Sequence, residues 1–190
     1  MTDEELMAAV CDGDQSAYQT IVRQHLNPIS HYAFRILGNR KDTEDITQEV
    51  FLKLWVNAAS WDPKKAKLTT WLHRIAHNLC IDYLRKHGNT QTQEEVEEPY
   101  QENEPIQSNS GNLEQQEKTK QLNEAISLLP ENQRSALMLC HYAGFSNKEA
   151  AGIMNVSVKA LESSIARARR SLRASLEQTE TTRGETETIG

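Results

Sequence analysis

No uncharged apolar run in this 190-residue chain is long enough to span a bilayer, and the N-terminus, Met1 to Glu5, carries three acids where a secretory signal would be apolar. Those absences exclude direct membrane insertion and predict a soluble, cytoplasmic protein. Cysteine is scarce: Cys11, Cys80 and Cys140 are far apart, with no CxxC pair. An odd number without motif spacing excludes a disulfide framework and reads as reduced thiols acting as small apolar side chains. There is also no Gly-rich phosphate loop, no nucleophile elbow and no HExxH, so no catalytic residues and no cofactor are expected.

Basic charge is missing from one stretch altogether. Residues 88–117 hold eight Glu and no Lys or Arg, and are rich in Gln, Asn, Ser and Pro. Such a composition buries too little apolar surface to offset an ordering cost of roughly 1–2 kcal/mol per residue, which predicts a flexible acidic linker. Residues 1–87 are balanced, with eleven basic and eleven acidic side chains, and residues 118–176 carry nine basic against four acidic. The formal net charge of −6 therefore hides a basic C-terminal domain, the sign asymmetry of a chain that meets nucleic acid at one end and something else at the other.

What is present is helical periodicity. Leu6 and Val10, then Tyr18, Ile21, Val22, Leu26, Ile29, Tyr32, Ala33 and Ile36, recur at helical spacing, divided at Asp12-Gly13-Asp14, with Pro28 expected to kink or break the second helix. A third helix opens at Asp42 or Thr43, is expected to bury Ile46, Val50, Phe51, Leu54 and Trp55, and ends near Ser60. The basic loop Trp61 to Lys67 contains Pro63, and a fourth helix begins near Thr69. Beyond the linker, a helix ending before Pro130 and another ending before Gly144 precede Ser146-Asn-Lys-Glu149, a capping-box pattern. A turn at Asn155-Val156 and a second cap at Ser157 open a long helix to about Leu176. The fold class is all-α: an N-terminal helical bundle (1–87) and a C-terminal four-helix domain with a helix-turn-helix (118–176), joined by the acidic linker (88–117) and followed by a disordered tail (177–190).

Two segments carry functional signal. The helix from Asp42 to Trp55 is acidic on one side, although Asp42, Glu44, Asp45 and Glu49 also suit a helix N-terminus, where the dipole favours anions by about 0.3–1 kcal/mol each. The long C-terminal helix carries Lys159, Arg167, Arg169, Arg170 and Arg173, which suit either DNA or a solvated face. The two successive caps favour the helix-turn-helix. His73, His77 and Cys80 share a helix face and have the donor types for zinc, but no fourth ligand is evident and no metal is expected.

The order of segments decides between these readings. Asp42-Thr-Glu-Asp-Ile-Thr-Gln-Glu-Val-Phe-Leu-Lys-Leu-Trp55, then Thr70-Trp-Leu-His-Arg-Ile-Ala-His-Asn-Leu-Cys-Ile-Asp-Tyr-Leu-Arg-Lys86, then Leu129-Pro-Glu-Asn-Gln-Arg134 and the helix-turn-helix, closely resembles the extracytoplasmic-function (ECF) sigma factors of the bacterial sigma-70 family. The resemblance covers about residues 5–87 and 118–176. It implies a sigma factor that binds core RNA polymerase and directs initiation at two-part promoters, with core polymerase, promoter DNA and an anti-sigma factor as partners.

By the same resemblance, Asp45, Gln48, Glu49, Leu52 and Trp55 dock on polymerase. Lys64, Lys67, Leu68, Arg74, Asn78 and Arg85 handle the opened minus-ten element, with Leu68 as a pocket wall and Asn78 reading a base edge. Arg134, Lys148, Ser157, Lys159, Glu162, Ser163 and Arg167 meet the minus-35 element. The linker would run through the polymerase cleft. Glu162 and Ser164 depart from a pattern that is often basic in relatives, which implies a different sequence preference. The alternative is a stand-alone helix-turn-helix regulator binding as a dimer, against which no heptad or dimerisation helix is visible.

Overall fold

The computed structural model describes residues 1–87 and 113–187, with side chains through Thr181. Among the described residues there are eight α-helices and no strand: α1 Asp3–Cys11, α2 Gln15–Leu37, α3 Arg40–Asn57, α4 Leu68–His87, α5 Leu113–Ser127, α6 Glu131–Leu137, α7 Asn147–Met154 and α8 Val158–Glu187.

The helix starts follow cap chemistry. Thr2 and Glu5 form a full capping box, with the Thr2 hydroxyl accepting from the Glu5 N–H at 3.2 Å and the Glu5 carboxylate accepting from the Thr2 N–H at 2.8 Å. Asp14 caps α2 by accepting from the Ser16 and Ala17 amides. Of the two expectations for Pro28, a kink or a break, the break does not occur: α2 runs on through it, with Pro28 exposed and Ile21, Ile29, Tyr32, Ala33 and Ile36 buried. Packing of that face overrides the lost hydrogen bond. Gly38 ends α2 at φ +80°, and Asn39 caps α3, which opens at Arg40 rather than at Asp42 or Thr43 as the sequence pattern predicts.

Helices α1–α4 wrap a core of Leu6, Ile21, Ile29, Ile36, Val50, Leu54, Leu68 and Leu72. Burying each such side chain stabilises the fold by about 1.5–3 kcal/mol. In the C-terminal unit, Pro130 starts α6, which runs into a single π turn, Met138–Tyr142, closed by the Ala143 N–H donating to the Met138 carbonyl at 2.9 Å. Ser146 caps α7 by accepting from the Glu149 N–H at 3.1 Å. Asn155 adopts the left-handed conformation at φ 55°, and Ser157 caps α8 through the Ala160 N–H at 3.1 Å. Leu161 and Ile165 anchor α8 in the core, whereas Val156 in the turn is 41% exposed.

Two boundaries are corrected. Helix α5 already begins at Leu113, so residues 113–117 belong to the C-terminal unit rather than the linker; the remainder of the expected linker lies outside the described residues. Helix α8 runs on to Glu187, so the stretch from Glu177 is helical where the sequence reading expected a disordered tail. Glu and Gln are good helix formers, and the Thr179 and Thr181 hydroxyls bond back to the carbonyls of Ser175 and Glu177 at 3.0 Å.

The two units pack on each other. Arg35 Nη1 donates to Asn123 Oδ1 at 2.7 Å, and its guanidinium lies 5.5 Å from the Tyr142 ring centroid. The His73 ring meets Phe145 edge-on at 4.9 Å, and α4 lies against α7.

Candidate nucleic-acid and partner interface

Spacing on α3 brings one set of predicted residues together. Asp45, Gln48, Glu49, Leu52 and Trp55 follow an i, i+3, i+4, i+7, i+10 series, and all are exposed. The opposite face, Ile46, Val50, Phe51 and Leu54, is in the core. Leu52 is 60% exposed, and Val56, which sequence reasoning missed, is 69% exposed one turn beyond it. The missed signal was simple, since Val56 is i+4 from Leu52 on the same stripe. Trp55 is braced by Tyr18, ring edge to face at 5.1 Å and 77°, and the Tyr18 hydroxyl donates to the Phe51 carbonyl at 3.0 Å. An acidic rim beside exposed apolar anchors is the composition of a protein-docking surface.

The second set lies on the loop before α4 and on α4 itself. Trp61 Nε1 donates to the Ala66 carbonyl at 3.0 Å and the Lys64 N–H donates to Asp62 Oδ1 at 2.9 Å, which folds the loop and turns Lys64, Lys65 and Lys67 outward. Arg74, Asn78 and Arg85 fall on one exposed face of α4 at i, i+4 and i+11; Arg85 pairs with Asp82 at 3.8 Å on the surface. Leu68 is a correction: it has no exposed surface and belongs to the core, so it presents no wall to a base. As the first residue of an amphipathic helix, its side chain turns inward with Leu72.

Opposite that face of α4, His73, His77 and Cys80 are buried. His77 Nδ1 is 2.7 Å from the Tyr32 hydroxyl, and His73 Nδ1 is 2.8 Å from the Thr69 carbonyl. Desolvation by burial pushes both imidazoles down to about 4 and the Cys80 thiol up to about 12. The neutral imidazoles are packing and hydrogen-bonding groups, and among the described residues no cluster of three or more His, Cys, Asp or Glu could hold a metal ion.

The third set surrounds the helix-turn-helix. Lys148, Ser157, Lys159, Glu162, Ser163 and Arg167 are all exposed, and the last four share the outward face at the start of α8. Arg134 departs from expectation. It is half-buried at the contact between the units, its Nη1 donates to the Ser127 carbonyl at 3.1 Å, and its Nε is buried without a partner. In this arrangement it ties α6 to the end of α5 instead of standing free for phosphate. Arg169 is similarly engaged, Nη2 lying 2.7 Å from His141 Nε2.

Comparison with known proteins bears on these surfaces. The family model of Sigma-70 region 2 matches residues 21–90, and that of Sigma-70 region 4 matches residues 119–172. The ECF RNA polymerase sigma factor SigE of Mycolicibacterium smegmatis is 33% identical over 181 residues, covering 90% of this chain and 68% of its own length. This chain belongs to the ECF sigma factors. SigW of Bacillus subtilis is 31% identical over 178 residues, covering 86% of this sigma factor and 91% of its own length. Two solved structures share the fold. CnrH in complex with the cytosolic domain of CnrY has a TM-score of 0.68 at 24% identity, over 93% of this chain and 97% of that one. The sigma factor RpoE of Bartonella quintana, in complex with the anti-sigma factor NepR, has a TM-score of 0.65 at 24% identity, over 84% and 96%.

The protein is thus an RNA polymerase sigma factor serving promoter-specific initiation. The stand-alone regulator is not favoured, because a region 2 unit precedes the DNA-reading unit. Sigma factors as a group are non-catalytic initiation factors. Among the described residues of this sigma factor, no helix is long and apolar enough to cross a membrane.

Proposed function

We propose that the α3 stripe of Asp45, Gln48, Glu49, Leu52 and Trp55 docks this sigma factor on core polymerase, and that Val56 extends it. The exposed apolar residues supply affinity, and the acidic rim steers encounter and fixes register. Lys64, Lys67, Arg74, Asn78 and Arg85 hold and read the opened minus-ten strand: the cations take phosphates, and the Asn78 amide, both donor and acceptor, reads a base edge. Lys148, Ser157, Lys159, Glu162, Ser163 and Arg167 meet the minus-35 duplex, with α8 in the major groove. Residues 1–87 form the polymerase and minus-ten unit, and the part from Leu113 forms the minus-35 unit. The chain works in the cytoplasm, without a cofactor and without a reaction of its own.

By their names the two promoter elements lie about 25 base pairs apart, or ~85 Å at about 3.4 Å per base pair. Here α4 and α7 are in direct contact. Reading both elements at once therefore requires the units to part, which also uncovers the side of Arg134 that faces Tyr32. An anti-sigma factor that covers the α3 stripe would hold the chain off polymerase, in keeping with the NepR complex of the structurally similar RpoE.

The observation that carries this reading is the segregation on α3: one face in the core, the other a continuous acidic and apolar stripe that is exposed, with Trp55 at its end braced by Tyr18. Run-off transcription with purified core tests it. Asp45→Arg should abolish holoenzyme formation without lowering the melting temperature, and Asn78→Ala should leave holoenzyme intact but slow promoter opening. Tight, specific promoter binding by the chain alone, with core adding nothing, overturns the reading.

A further inference from the structure

Asp42 and Tyr83 join the first turn of α3 to the end of α4. The Tyr83 hydroxyl donates to Asp42 Oδ2 at 2.5 Å across 41 residues of sequence. Asp42 is itself held from behind: Asn39 Nδ2 donates to the same Oδ2, and Asn39 Oδ1 accepts from the Asp42 N–H at 2.8 Å. The Tyr83 ring stacks on His87 at 4.4 Å and 23°, which fixes its direction. The bond to the Asp42 carboxylate favours the neutral phenol and, with burial, pushes it up to about 12, so the donor keeps its proton at any working pH.

This bond lies between two surfaces. Asp45 of the docking stripe is three residues along α3 from Asp42, ~4.5 Å at 1.5 Å per residue, and Asn78 of the minus-ten face is five residues before Tyr83, ~7.5 Å. The rest of the contact between α3 and α4 includes apolar packing, which has no directional preference. A hydrogen bond to a carboxylate is directional and roughly twice as strong as a neutral one.

We propose that Asp42 and Tyr83 are a positioning clasp: their hydrogen bond sets the angle of α4 against α3, so that seating α3 on polymerase aims Arg74, Asn78 and Arg85 at the melted strand. The clasp touches neither polymerase nor DNA. It rests on the reading that the Asp45 side meets polymerase and the Asn78 side meets DNA.

The test compares Tyr83→Phe, Asp42→Asn and Asn78→Ala in the full chain with core polymerase, on a promoter recovered by holoenzyme selection from random DNA. Core affinity is read by anisotropy of labelled chain, and opening by permanganate reactivity of minus-ten thymines. Tyr83→Phe keeps the ring and its stack, so core affinity should stay within about twofold while opening slows about tenfold, the equivalent of ~1.4 kcal/mol. Asp42→Asn retains an amide oxygen that accepts from the phenol and should fall between Tyr83→Phe and wild type. A template already unpaired at minus ten should still bind the Tyr83→Phe holoenzyme more weakly than wild type, since the reading face remains misaligned. Normal opening by Tyr83→Phe beside slow opening by Asn78→Ala overturns the clasp alone. Equal loss of core affinity and opening in Tyr83→Phe makes Tyr83 a stability element and also overturns it. Normal opening by Asn78→Ala removes the surface assignment, and the clasp with it.

Discussion

His77 Nδ1 and the Tyr32 hydroxyl share a 2.7 Å hydrogen bond at the base of the contact between the two helical units. Both groups are buried, and burial drives both toward neutrality: the imidazole is pushed down to about 4, and the phenol is raised well above its ordinary value. Ser135, Glu131 and Arg134 of α6 approach Tyr32 from the C-terminal unit, so the bond sits under the interface rather than inside one domain. The same helix face carries His73, whose Nε2 is buried without a partner beneath Phe145.

The first prediction concerns pH. For both His73 and His77 the folded pKa of about 4 lies below the ordinary 6.5, so between pH 6.5 and 4 the unfolded chain binds more protons than the folded one. The stability contributed by the neutral imidazoles is fully present above that window and is lost as the pH falls through it. Between pH 7 and 5 the loss should be about 2 kcal/mol per histidine. Urea unfolding at the two pH values measures it, and His77→Gln, which retains a hydrogen-bonding side chain but does not titrate, should lose about half the dependence. An equal pH dependence in wild type and His77→Gln would refute the assignment.

Arg35 provides a second, independent handle on the same contact. Its bond to Asn123 and its position over Tyr142 cross from α2 to the C-terminal unit without entering either proposed DNA surface. Arg35→Ala should weaken the closed arrangement by about 1–3 kcal/mol, from one charge-assisted hydrogen bond and one cation–π contact. Small-angle scattering should then report a larger radius of gyration, and affinity for minus-35 duplex should rise as Arg134 is uncovered. An unchanged radius with unchanged DNA affinity would show that Arg35 does not hold the units together.

How much of this was readable from sequence differs by physical cause. Helical periodicity and caps are local, so Ser146 and Ser157 are legible as caps, Asp12-Gly13-Asp14 as the break between α1 and α2, and most of the buried face of α3 from its spacing. Leu68 is a pocket wall only by the family resemblance; its inward direction depends on where α4 begins, and helix boundaries are the least determined part of a reading from sequence. Arg134 and Arg35 were opaque for another reason. Arg35 meets Asn123, and Arg134 is covered beside Tyr32, only once the two units pack together, and no periodicity encodes how one helical unit turns against another. Pro28 shows tertiary packing overriding a local breaker, and the continuation of α8 shows propensity prevailing where composition suggested disorder.

Leu52 and Leu54 make a third, contrasting pair. They are two residues apart on one helix, with Leu52 60% exposed and Leu54 fully buried. Leu54→Ala should cost about 2–5 kcal/mol of unfolding free energy, the usual price of deleting a buried leucine. Leu52→Ala should leave stability within about 0.5 kcal/mol but weaken core polymerase binding by tenfold or more, as loss of an interface anchor of about 1.4 kcal/mol does. Paired denaturation and holoenzyme titrations measure both. If Leu52→Ala binds core normally, the α3 stripe is not the docking surface.

Glu162 supplies the fourth prediction. It is exposed on the outward face of α8, among Lys159, Ser163 and Arg167. A carboxylate has no donor to offer phosphate and is repelled by it, so its tolerable place in a DNA interface is over a base edge, where it accepts from the N4 amine of cytosine. Glu162→Gln keeps the length and adds a bidentate donor–acceptor pair, which suits adenine. Selection of minus-35 sequences with the Glu162→Gln holoenzyme should therefore shift one position from cytosine toward adenine, by about 1–3 kcal/mol of discrimination, and leave neighbouring positions unchanged. Glu162→Lys separates this from simple repulsion: a cation there should raise affinity and steepen the salt dependence in either case, but only a residue over a base edge should also move that position from cytosine toward guanine. Should Glu162→Gln retain the wild-type preference while its overall affinity rises, Glu162 only weakens backbone contact and the base-reading role is lost.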